Sequence, residues 1–569
     1  MRSPHRVALL HLFLLSGCAT LPTYAPDGLV TSTGGMVVSD DARASDAGIE
    51  ILNQGGNAVD AAVATAFVLA AVYPEAGNLG GGGFLVARFA TGESAALDFR
   101  EKAPLRATRD MYLDAEGNPT EQSLVGHRAA GVPGSVAGLW EAHRKYGRLA
   151  WAKILTPALR LAREGFRINE RFARTLHSDS SRLVRFDASR RLFFNGATTL
   201  ARETLWKNPD LARTLERIAA RGRDGFYAGE TADCIVAEMD RGKGIITRED
   251  LAAYQAVWRT PIAFVYRGHT VISMPPPSSG GVTLALLCNI LGGYDLKKQG
   301  WNSAATAHCE AEAMRRAFAA RNAFLGDPDA VRIPVDSLLS PEFARAQQSG
   351  ISPEQATPSS RVNFRPVISP REGNHTTHLS AVDAEGNAVA LTTTLNSLYG
   401  GGVVVAGAGF LMNNEMDDFA VKPGTPNTYE LVQGEANAIA PGKRILSSMT
   451  PTIVCNTDGT PMIITGARGG PHIITSVFQV LSNILDHEMD LPAAITAPRF
   501  HHQHLPDLLS WEENAFSSES ARNLKRLGHV LRKSGPLGSA PTLFRRTTRW
   551  CGMGDPRTGG TARGQSVLP

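Results

Sequence analysis

Five polar residues, Asn-His-Thr-Thr-His at positions 374–378, lie where a loop-rich stretch ends and a predicted strand begins. A threonine hydroxyl is a poor nucleophile at neutral pH and needs a neighbouring base before it can attack a carbonyl group. Taken alone, such a run is equally well explained as a polar loop before a strand. It gains weight only with the charged, hydroxyl-bearing and glycine-rich stretches found elsewhere along the chain.

The surrounding sequence alternates between strand-like and helical patterns. Strand pairs are predicted at 377–382 with 388–394 and at 450–455 with 461–465. Helical patterns cover 45–55 with Ser45 as N-cap, 58–73, 153–165, 203–221, 282–291 and 473–486. Residues 326–372 are predicted to be a loop-rich linker, and the tail after Pro541 is predicted to be partly mobile. Antiparallel strands flanked by helices are therefore expected near the polar run.

The composition excludes several classes of function. A formal net charge of +4 and an aromatic content of 7% predict neither a basic face nor a stacking platform for nucleic acid. None of the six cysteines forms a CxxC pair, which argues against a zinc ribbon or a thioredoxin-like site. His501, His502 and His504 match no common zinc spacing, so no metal is expected. Four glycines at 80–83 precede a strand, which indicates close backbone packing rather than phosphate binding.

The N-terminus has the features of an export signal. Basic residues among the first six precede an apolar stretch at 7–15, and small residues then lead to Cys18. The run Leu-Ser-Gly-Cys at 15–18 resembles a bacterial lipoprotein signal, in which the cysteine becomes the acylated N-terminus. An ordinary cleaved signal with an incidental cysteine is the alternative. We expect export to the periplasm, either free or anchored through Cys18.

Seven separate stretches in a fixed order carry the strongest signal. They are GNAVDAA at 56–62, LDFRE at 97–101, PPPSSGG at 275–281, TTH at 376–378, NNEMDDF at 413–419, SSM at 447–449 and GG at 469–470. Together they resemble the γ-glutamyltranspeptidase family of N-terminal nucleophile hydrolases. The resemblance covers nearly the whole chain after the signal. It implies an α+β fold, a four-layer αββα sandwich built from both chains of a processed precursor.

The resemblance implies that the precursor cuts itself at the His375–Thr376 bond. The implied division is a signal at 1–17, a linker at 18–34, a large chain at 35–375 and a small catalytic chain at 376–569, the last two forming a heterodimer with one core. Cleavage would give Thr376 a free α-amino group, whose pKa of about 7.7–8.0 suits a general base, so no histidine is required. The hydroxyl of Thr394, on the partner strand, would orient Thr376.

The other site residues follow from the implied substrate, a γ-glutamyl amide such as glutathione. Its α-carboxylate calls for a guanidinium and hydroxyls, its α-ammonium for acceptors, and the tetrahedral oxyanion for two backbone N–H donors. The resemblance implies that Arg100, Ser447 and Ser448 bind the carboxylate, and that Asn396, Glu415 and Asp418 accept hydrogen bonds from the ammonium. It implies that Gly469 and Gly470 provide the N–H donors for the oxyanion. It also implies a lid at 423–434, with Tyr429 as its gate.

We therefore expect a γ-glutamyl transferase and hydrolase that needs no cofactor and passes the acyl group to water, amino acids or dipeptides. Arg468 departs from the smaller or cyclic residue typical of the family and could alter acceptor preference or the oxyanion hole. One alternative is a related acylase acting on cephalosporins or γ-glutamyl polymers, although the lid favours small γ-glutamyl substrates. The other is an exported binding lipoprotein that never matures.

Overall fold

Two seven-stranded sheets form the centre of the molecule, in a computed structural model that describes residues 28–362, 364, 376–422 and 434–565. Sheet I has the order β1-β20-β19-β15-β14-β11-β10, and sheet II has the order β21-β2-β12-β13-β3-β4-β9. The strands of the chain are β1 Val30–Ser32, β2 Met36–Ser39, β3 Gly82–Arg88, β4 Ser94–Phe99, β5 Phe166–Arg167, β6 Phe194–Asn195, β7 Thr198–Thr199, β8 Leu205–Trp206, β9 Val257–Arg259, β10 Ile262–Tyr266, β11 His269–Ser273, β12 Thr376–Val382, β13 Ala388–Thr394, β14 Thr452–Cys455, β15 Pro461–Thr465, β16 Phe500–His501, β17 Leu509–Trp511, β18 Leu531–Lys533, β19 Thr542–Arg546, β20 Arg549–Met553 and β21 Thr561–Gly564.

Helices cover the outer faces of both sheets. The helices are α1 Ala42–Asn53, α2 Ala58–Val72, α3 Ser135–Tyr146, α4 Trp151–Glu164, α5 Glu170–Ser178, α6 Ser180–Leu183, α7 Asp187–Phe193, α8 Pro209–Arg221, α9 Asp224–Tyr227, α10 Gly229–Arg241, α11 Arg248–Ala253, α12 Gly280–Leu291, α13 Leu296–Gln299, α14 Ala304–Phe324, α15 Val335–Leu338, α16 Pro341–Ser349, α17 His472–Leu485, α18 Leu491–Thr496 and α19 Ser518–Arg526. Helices α1, α2 and α3 pack on sheet II, while α12 and α18 pack on sheet I. The predicted four-layer αββα sandwich is confirmed.

The alternation of side chains explains the layering. In β3, Leu85 and Ala87 join the core between sheet II and its helices, whereas Phe84 and Val86 join the core between the two sheets. Every one of these four side chains is buried, as expected for a strand covered on both faces. The small residues of α2 let that helix approach sheet II closely, and all of its residues are buried.

Three predictions about local structure need correction. Helix α1 begins at Ala42 because Asp41, not Ser45, accepts the capping hydrogen bond, from the backbone N–H of Arg43. The predicted linker at 326–372 contains the helices α15 and α16. The tail after Pro541 is not a mobile appendage as far as residue 565, because β19, β20 and β21 pair with strands of both sheets.

The N-terminal residues 1–27, which include the predicted signal and Cys18, lie outside the described residues. From residue 28 onward, the described part of the chain contains no helix that is long and apolar enough to cross a bilayer. Strand β1, at the end of the predicted linker, pairs with β20.

Candidate active site

Thr376 and Thr394 form a cross-strand pair at the end of the central hairpin of sheet II. Thr376 is the first residue of β12 and lies opposite Thr394, the last residue of β13. Thr376 donates a hydrogen bond from Oγ1 to Oγ1 of Thr394 over 3.4 Å, and the backbone N–H of Asn396 donates to the same oxygen over 2.8 Å. Thr376 is 5% exposed, so its hydroxyl is held in a nearly dry environment.

The glycines at 80–83 make this arrangement possible. A Cβ atom on Gly81 would come within 2.1 Å of the carbonyl oxygen of Thr394, and one on Gly83 within 2.3 Å of that of Thr392. Such contacts would push β3 away from β13, so a side chain is not tolerated here. The prediction that these glycines serve close backbone packing is confirmed.

Arg100 lies at the centre of a buried ionic cluster. Its guanidinium is fully buried and contacts Glu415 at 2.8 Å, Asp418 at 2.6 Å and Glu101 at 3.3 Å. It also donates to the carbonyl oxygens of Ile445 and Leu446, at 3.1 and 3.3 Å. The side chain therefore has a single fixed orientation.

The cluster holds three carboxyl groups around one cation. Burial raises the pKa of Glu415 well above its usual range, although Arg100 opposes the shift, and burial likewise raises the pKa of Asp418. Burial also raises the pKa of Glu101 to about 7. Burial alone would lower the pKa of Arg100, but the surrounding carboxylates raise it above its usual value. The excess of acidic groups makes the cluster a good receptor for one more cation, such as an ammonium group.

The PPPSSGG loop and a buried arginine position the serine pair. Ser279 donates to the carbonyl oxygen of Ser447 from both its backbone N–H (2.6 Å) and its hydroxyl (2.7 Å). Arg321, on α14 and fully buried, donates to Oγ of Ser448 at 2.9 Å and to Oγ of Ser279 at 2.8 Å. Sequence analysis missed Arg321, because nothing in the sequence distinguishes it from the two other arginines of this alanine-rich helix.

Gly469 and Gly470 connect β15 to α17 in a conformation that favours glycine. Their φ angles are +127° and +57°. In the described part of the chain, neither N–H group donates to a backbone carbonyl. Two adjacent N–H donors before a helix N-terminus suit the stabilisation of a developing oxyanion.

Most of the predicted site residues line one cleft, here called the threonine cleft. They are Thr376, Thr394, Arg100, Asn396, Glu415, Asp418, Ser447, Ser448 and Gly470, joined by Met449 and Ile473, to which the sequence analysis gave no role in the site. Gly469 lines a neighbouring cavity instead. His375 and Tyr429, with the predicted lid, lie outside the described residues. The cleft thus combines hydroxyl groups, a guanidinium, carboxyl groups and a glycine backbone, which are the kinds of group that acyl transfer from a zwitterionic amide would use.

The amino-acid sequence and the fold of the chain are similar to those of known proteins. The profile of the family described as Gamma-glutamyltranspeptidase matches residues 44–565. The glutathione hydrolase proenzyme of Escherichia coli (strain K12) is 46% identical over 518 residues, which cover 90% of this chain and 89% of the relative. The crystal structure of cephalosporin acylase from Bacillus halodurans superimposes with a TM-score of 0.84 at 28% identity, covering 97% of this chain and 99% of that one. The gamma-glutamyltranspeptidase structure from Helicobacter pylori, with a TM-score of 0.56 and 44% identity, covers 57% of this chain and 93% of its own.

The αββα sandwich with a threonine at the start of a central strand defines an N-terminal nucleophile hydrolase. The chain belongs to the γ-glutamyltranspeptidase family. The predicted activity, that of a self-processing γ-glutamyl transferase and hydrolase, is thereby confirmed.

Proposed function

We propose that the chain cuts itself at the His375–Thr376 bond and that Thr376 then acts as the nucleophile. The observation that carries this proposal is the contact between the Thr376 and Thr394 hydroxyls, in the same cleft as Arg100. Cleavage gives a large chain ending at His375 and a small chain of residues 376–569. The Helicobacter pylori structure supports a two-chain product, since nearly all of its polypeptide matches only 57% of this chain.

The donor is a γ-glutamyl amide, and the name of the Escherichia coli relative favours glutathione. The α-carboxylate of the donor binds Arg100 and the hydroxyls of Ser447 and Ser448. The α-ammonium binds Glu415 and Asp418, together with the amide oxygen of Asn396. Because Arg100 already contacts Glu415 and Asp418, a bound zwitterion adds a negative group beside the guanidinium and a positive group beside the carboxylates. The predicted gate, Tyr429, remains a part of this proposal.

The reaction takes place in two steps. The Thr376 hydroxyl attacks the γ-carbonyl carbon while the α-amino group of the same residue accepts its proton, and the Gly469 and Gly470 N–H groups stabilise the oxyanion. The C–N bond breaks, the leaving amine takes the proton, and a γ-glutamyl ester remains on Thr376. Water or an amine then attacks the ester, and Thr376 regains its proton. Loss of one oxyanion donor typically costs about 3–4 kcal/mol of transition-state stabilisation.

The variant Thr376→Ala tests the proposal. It should remain a single chain of 60.8 kDa, less any removed signal, on a denaturing gel and release no p-nitroaniline from γ-glutamyl-p-nitroanilide. The control variant Thr376→Ser keeps a hydroxyl and should give two bands with measurable turnover. An alanine variant that still splits and turns over the donor would rule out Thr376 as the nucleophile.

A substrate panel separates glutathione chemistry from acylase chemistry. Glu415 and Asp418 line the threonine cleft, and glutaryl-cephalosporin has no α-ammonium group that could pair with them. We expect kcat/KM for glutathione to exceed that for glutaryl-cephalosporin by about 100-fold or more, because a buried carboxylate would otherwise be left unpaired. A preference for the cephalosporin would favour the acylase alternative.

The exported form is proposed to carry a lipid on Cys18. The support is the sequence at 15–18, which resembles a lipoprotein signal. Intact-mass measurement of protein extracted from membranes should show a large chain that begins at a diacylated Cys18. A large chain that begins at another residue, or carries no lipid, would contradict this.

A further inference from the structure

The strand that begins with Thr376 is held unequally on its two sides. On one side, β13 pairs with β12 along its whole length, beginning with Thr376 opposite Thr394. On the other side, β2 pairs only with residues 379–382 and ends at Ser39. Within the described part of the chain, the first three residues of β12 therefore have no strand partner on the β2 side. The end of a strand that is paired on one side only opens more readily than its middle.

The carboxyl group of Asp40 occupies this gap. Asp40 directly follows β2, and its Oδ2 accepts a hydrogen bond from Oγ1 of Thr377 at 2.9 Å. Its Oδ1 accepts a hydrogen bond from Oγ1 of Thr558 at 2.9 Å, and the hydroxyl of Ser539 lies 2.8 Å from the same Thr558 oxygen. Asp40 thus connects the start of β12 with the end of β2 and with the segment between β20 and β21.

Burial makes these two hydrogen bonds important for Asp40. Its side chain belongs to a residue that is 4% exposed, and Thr377 is fully buried. Among the described residues, Asp40 has no ion-pair partner. A buried carboxyl group is costly unless its oxygens accept hydrogen bonds, and here two threonine hydroxyls donate to it. Asp40 and Thr377 therefore fix each other's position.

Asp40 lies apart from the space in which the donor is proposed to bind. Successive side chains of a strand point to opposite faces, so those of Thr376 and Thr377 diverge. Thr376 lines the threonine cleft, whereas Asp40 and Thr558 line a different cavity. Asp40 can therefore act on Thr376 only through Thr377.

We propose that Asp40 is a positioning residue that holds Thr376 in place through Thr377. The proposal rests on the proposed function, in which cleavage turns Thr376 into the end of a chain. After cleavage, no covalent bond holds Thr376 from its N-terminal side, and the bond from Thr377 to Asp40 secures the strand on its unpaired side. Asp40 thereby keeps the Thr376 hydroxyl beside Thr394, where a displacement of about 1 Å can cost about 100-fold in rate.

Two substitutions of Thr377 test this in the processed enzyme. Thr377→Val removes the hydroxyl and keeps the shape of the side chain, whereas Thr377→Ser keeps the hydroxyl. In Thr377→Val, kcat for γ-glutamyl-p-nitroanilide should fall about tenfold while KM stays within about twofold, because the groups around Arg100 are untouched. Thr377→Ser should retain kcat within about threefold. Dividing the rate by the amount of small chain on a denaturing gel removes any effect of incomplete processing.

A double-mutant cycle tests whether Asp40 and Thr377 act together. Asp40→Ala removes both hydrogen bonds and should lower kcat by about tenfold or more. Adding Thr377→Val to Asp40→Ala should lower kcat by less than about twofold further, since the same hydrogen bond is already lost. Two independent effects would instead multiply to about 100-fold, and that result would contradict the proposal. If Asp40→Ala does not fold, the two Thr377 variants decide alone.

Thr214→Val is the matched control. Like Thr377, Thr214 is fully buried and donates one hydrogen bond of 2.9 Å, to the carbonyl oxygen of Ala408, but it does not line the threonine cleft. This variant should lower Tm and leave kcat and KM unchanged. Wild-type kcat in Thr377→Val, a loss that Thr377→Ser does not restore, or an equal change in KM would overturn the role of Asp40 and leave the proposed function intact. Turnover that persists in Thr376→Ala would overturn both.

Discussion

Arginine side chains are used in opposite ways in the threonine cleft and in the neighbouring cavity that Gly469 lines. Arg100 is completely buried and meets three carboxyl groups, so its position is fixed before any substrate binds. Arg174 is exposed and has no carboxylate partner among the described residues. A buried, compensated cation can orient one defined group, whereas an exposed one can attract many anions and release them. The contrast therefore favours strict recognition of one ligand in the threonine cleft, where the proposed donor binds.

The largest effect is expected at the buried arginine. Arg100→Ala removes the charge partner of the donor carboxylate and leaves three carboxyl groups uncompensated, so KM should rise strongly and kcat/KM for γ-glutamyl-p-nitroanilide should fall by about 100-fold or more. Steady-state kinetics give both numbers. Arg259→Ala is the matched control, because Arg259 pairs with Asp98 and Asp329 outside the cleft and should lower stability without raising KM. An unchanged KM in Arg100→Ala would remove Arg100 from the site.

A smaller effect is expected at Arg321, which contacts Ser448 and not the proposed donor itself. Arg321→Met removes the hydrogen bond to Ser448, and KM for the donor should rise about tenfold while kcat changes less. Arg316→Met, on the same helix, removes a buried arginine that pairs with Glu312 instead and should leave KM unchanged. If kcat alone fell in Arg321→Met, the residue would not act through donor binding.

The third test measures how the stability of the folded protein depends on protonation of the buried cluster around Arg100. Burial raises the pKa of Glu101 from its usual value of 4.5 to about 7. The folded protein therefore holds more protons than the unfolded chain between these two pH values, and stability falls as pH rises through this range. Glu101→Gln should therefore have a higher Tm than wild type above pH of about 7 and lose this advantage below about 4.5. Thermal unfolding at pH 4.5, 6 and 8 measures it. A Tm difference that grows toward acid would contradict the assigned direction.

The smallest effect on KM is expected from a change in ionic strength. Exposed charges are screened at high ionic strength, and buried ones much less. Between about 50 mM and 500 mM NaCl, KM for γ-glutamyl-p-nitroanilide should change by less than about twofold, because Arg100 and its carboxyl partners are buried. A rise of about tenfold would mean that the threonine cleft is open to solvent.

The sequence predicted the class of fold and a compact set of candidate residues because these depend on short local motifs. Each motif combines residues that have few alternatives, such as the glycines whose side chains would collide with β13. No role in the site was predicted for Met449, although it belongs to the SSM motif, or for Ile473, since an apolar residue near a site resembles any other core residue.

Elements that depend on tertiary contacts were not predictable. Strand β19 buries only its first residues, and β21 lies at the edge of sheet II with one fully buried side chain, Ala562. Such short, arginine-containing strands have weak patterns, and neighbouring strands determine their structure. The N-cap of α1 was missed for a similar reason. The hydroxyl of Ser45 does not cap the helix but donates to the carbonyl oxygen of Thr561, which is far away in the sequence.

The strand order of sheet II has a consequence for the molecule after the proposed cleavage. The hairpin of β12 and β13 lies between β2 and β3, and the strands on both sides precede the proposed cut. After scission, the two polypeptides stay interleaved by backbone hydrogen bonds along both flanks of the hairpin. Neither polypeptide can dissociate unless these hydrogen bonds break. The two polypeptides should therefore unfold in one cooperative transition and should not exchange with those of other copies of the protein.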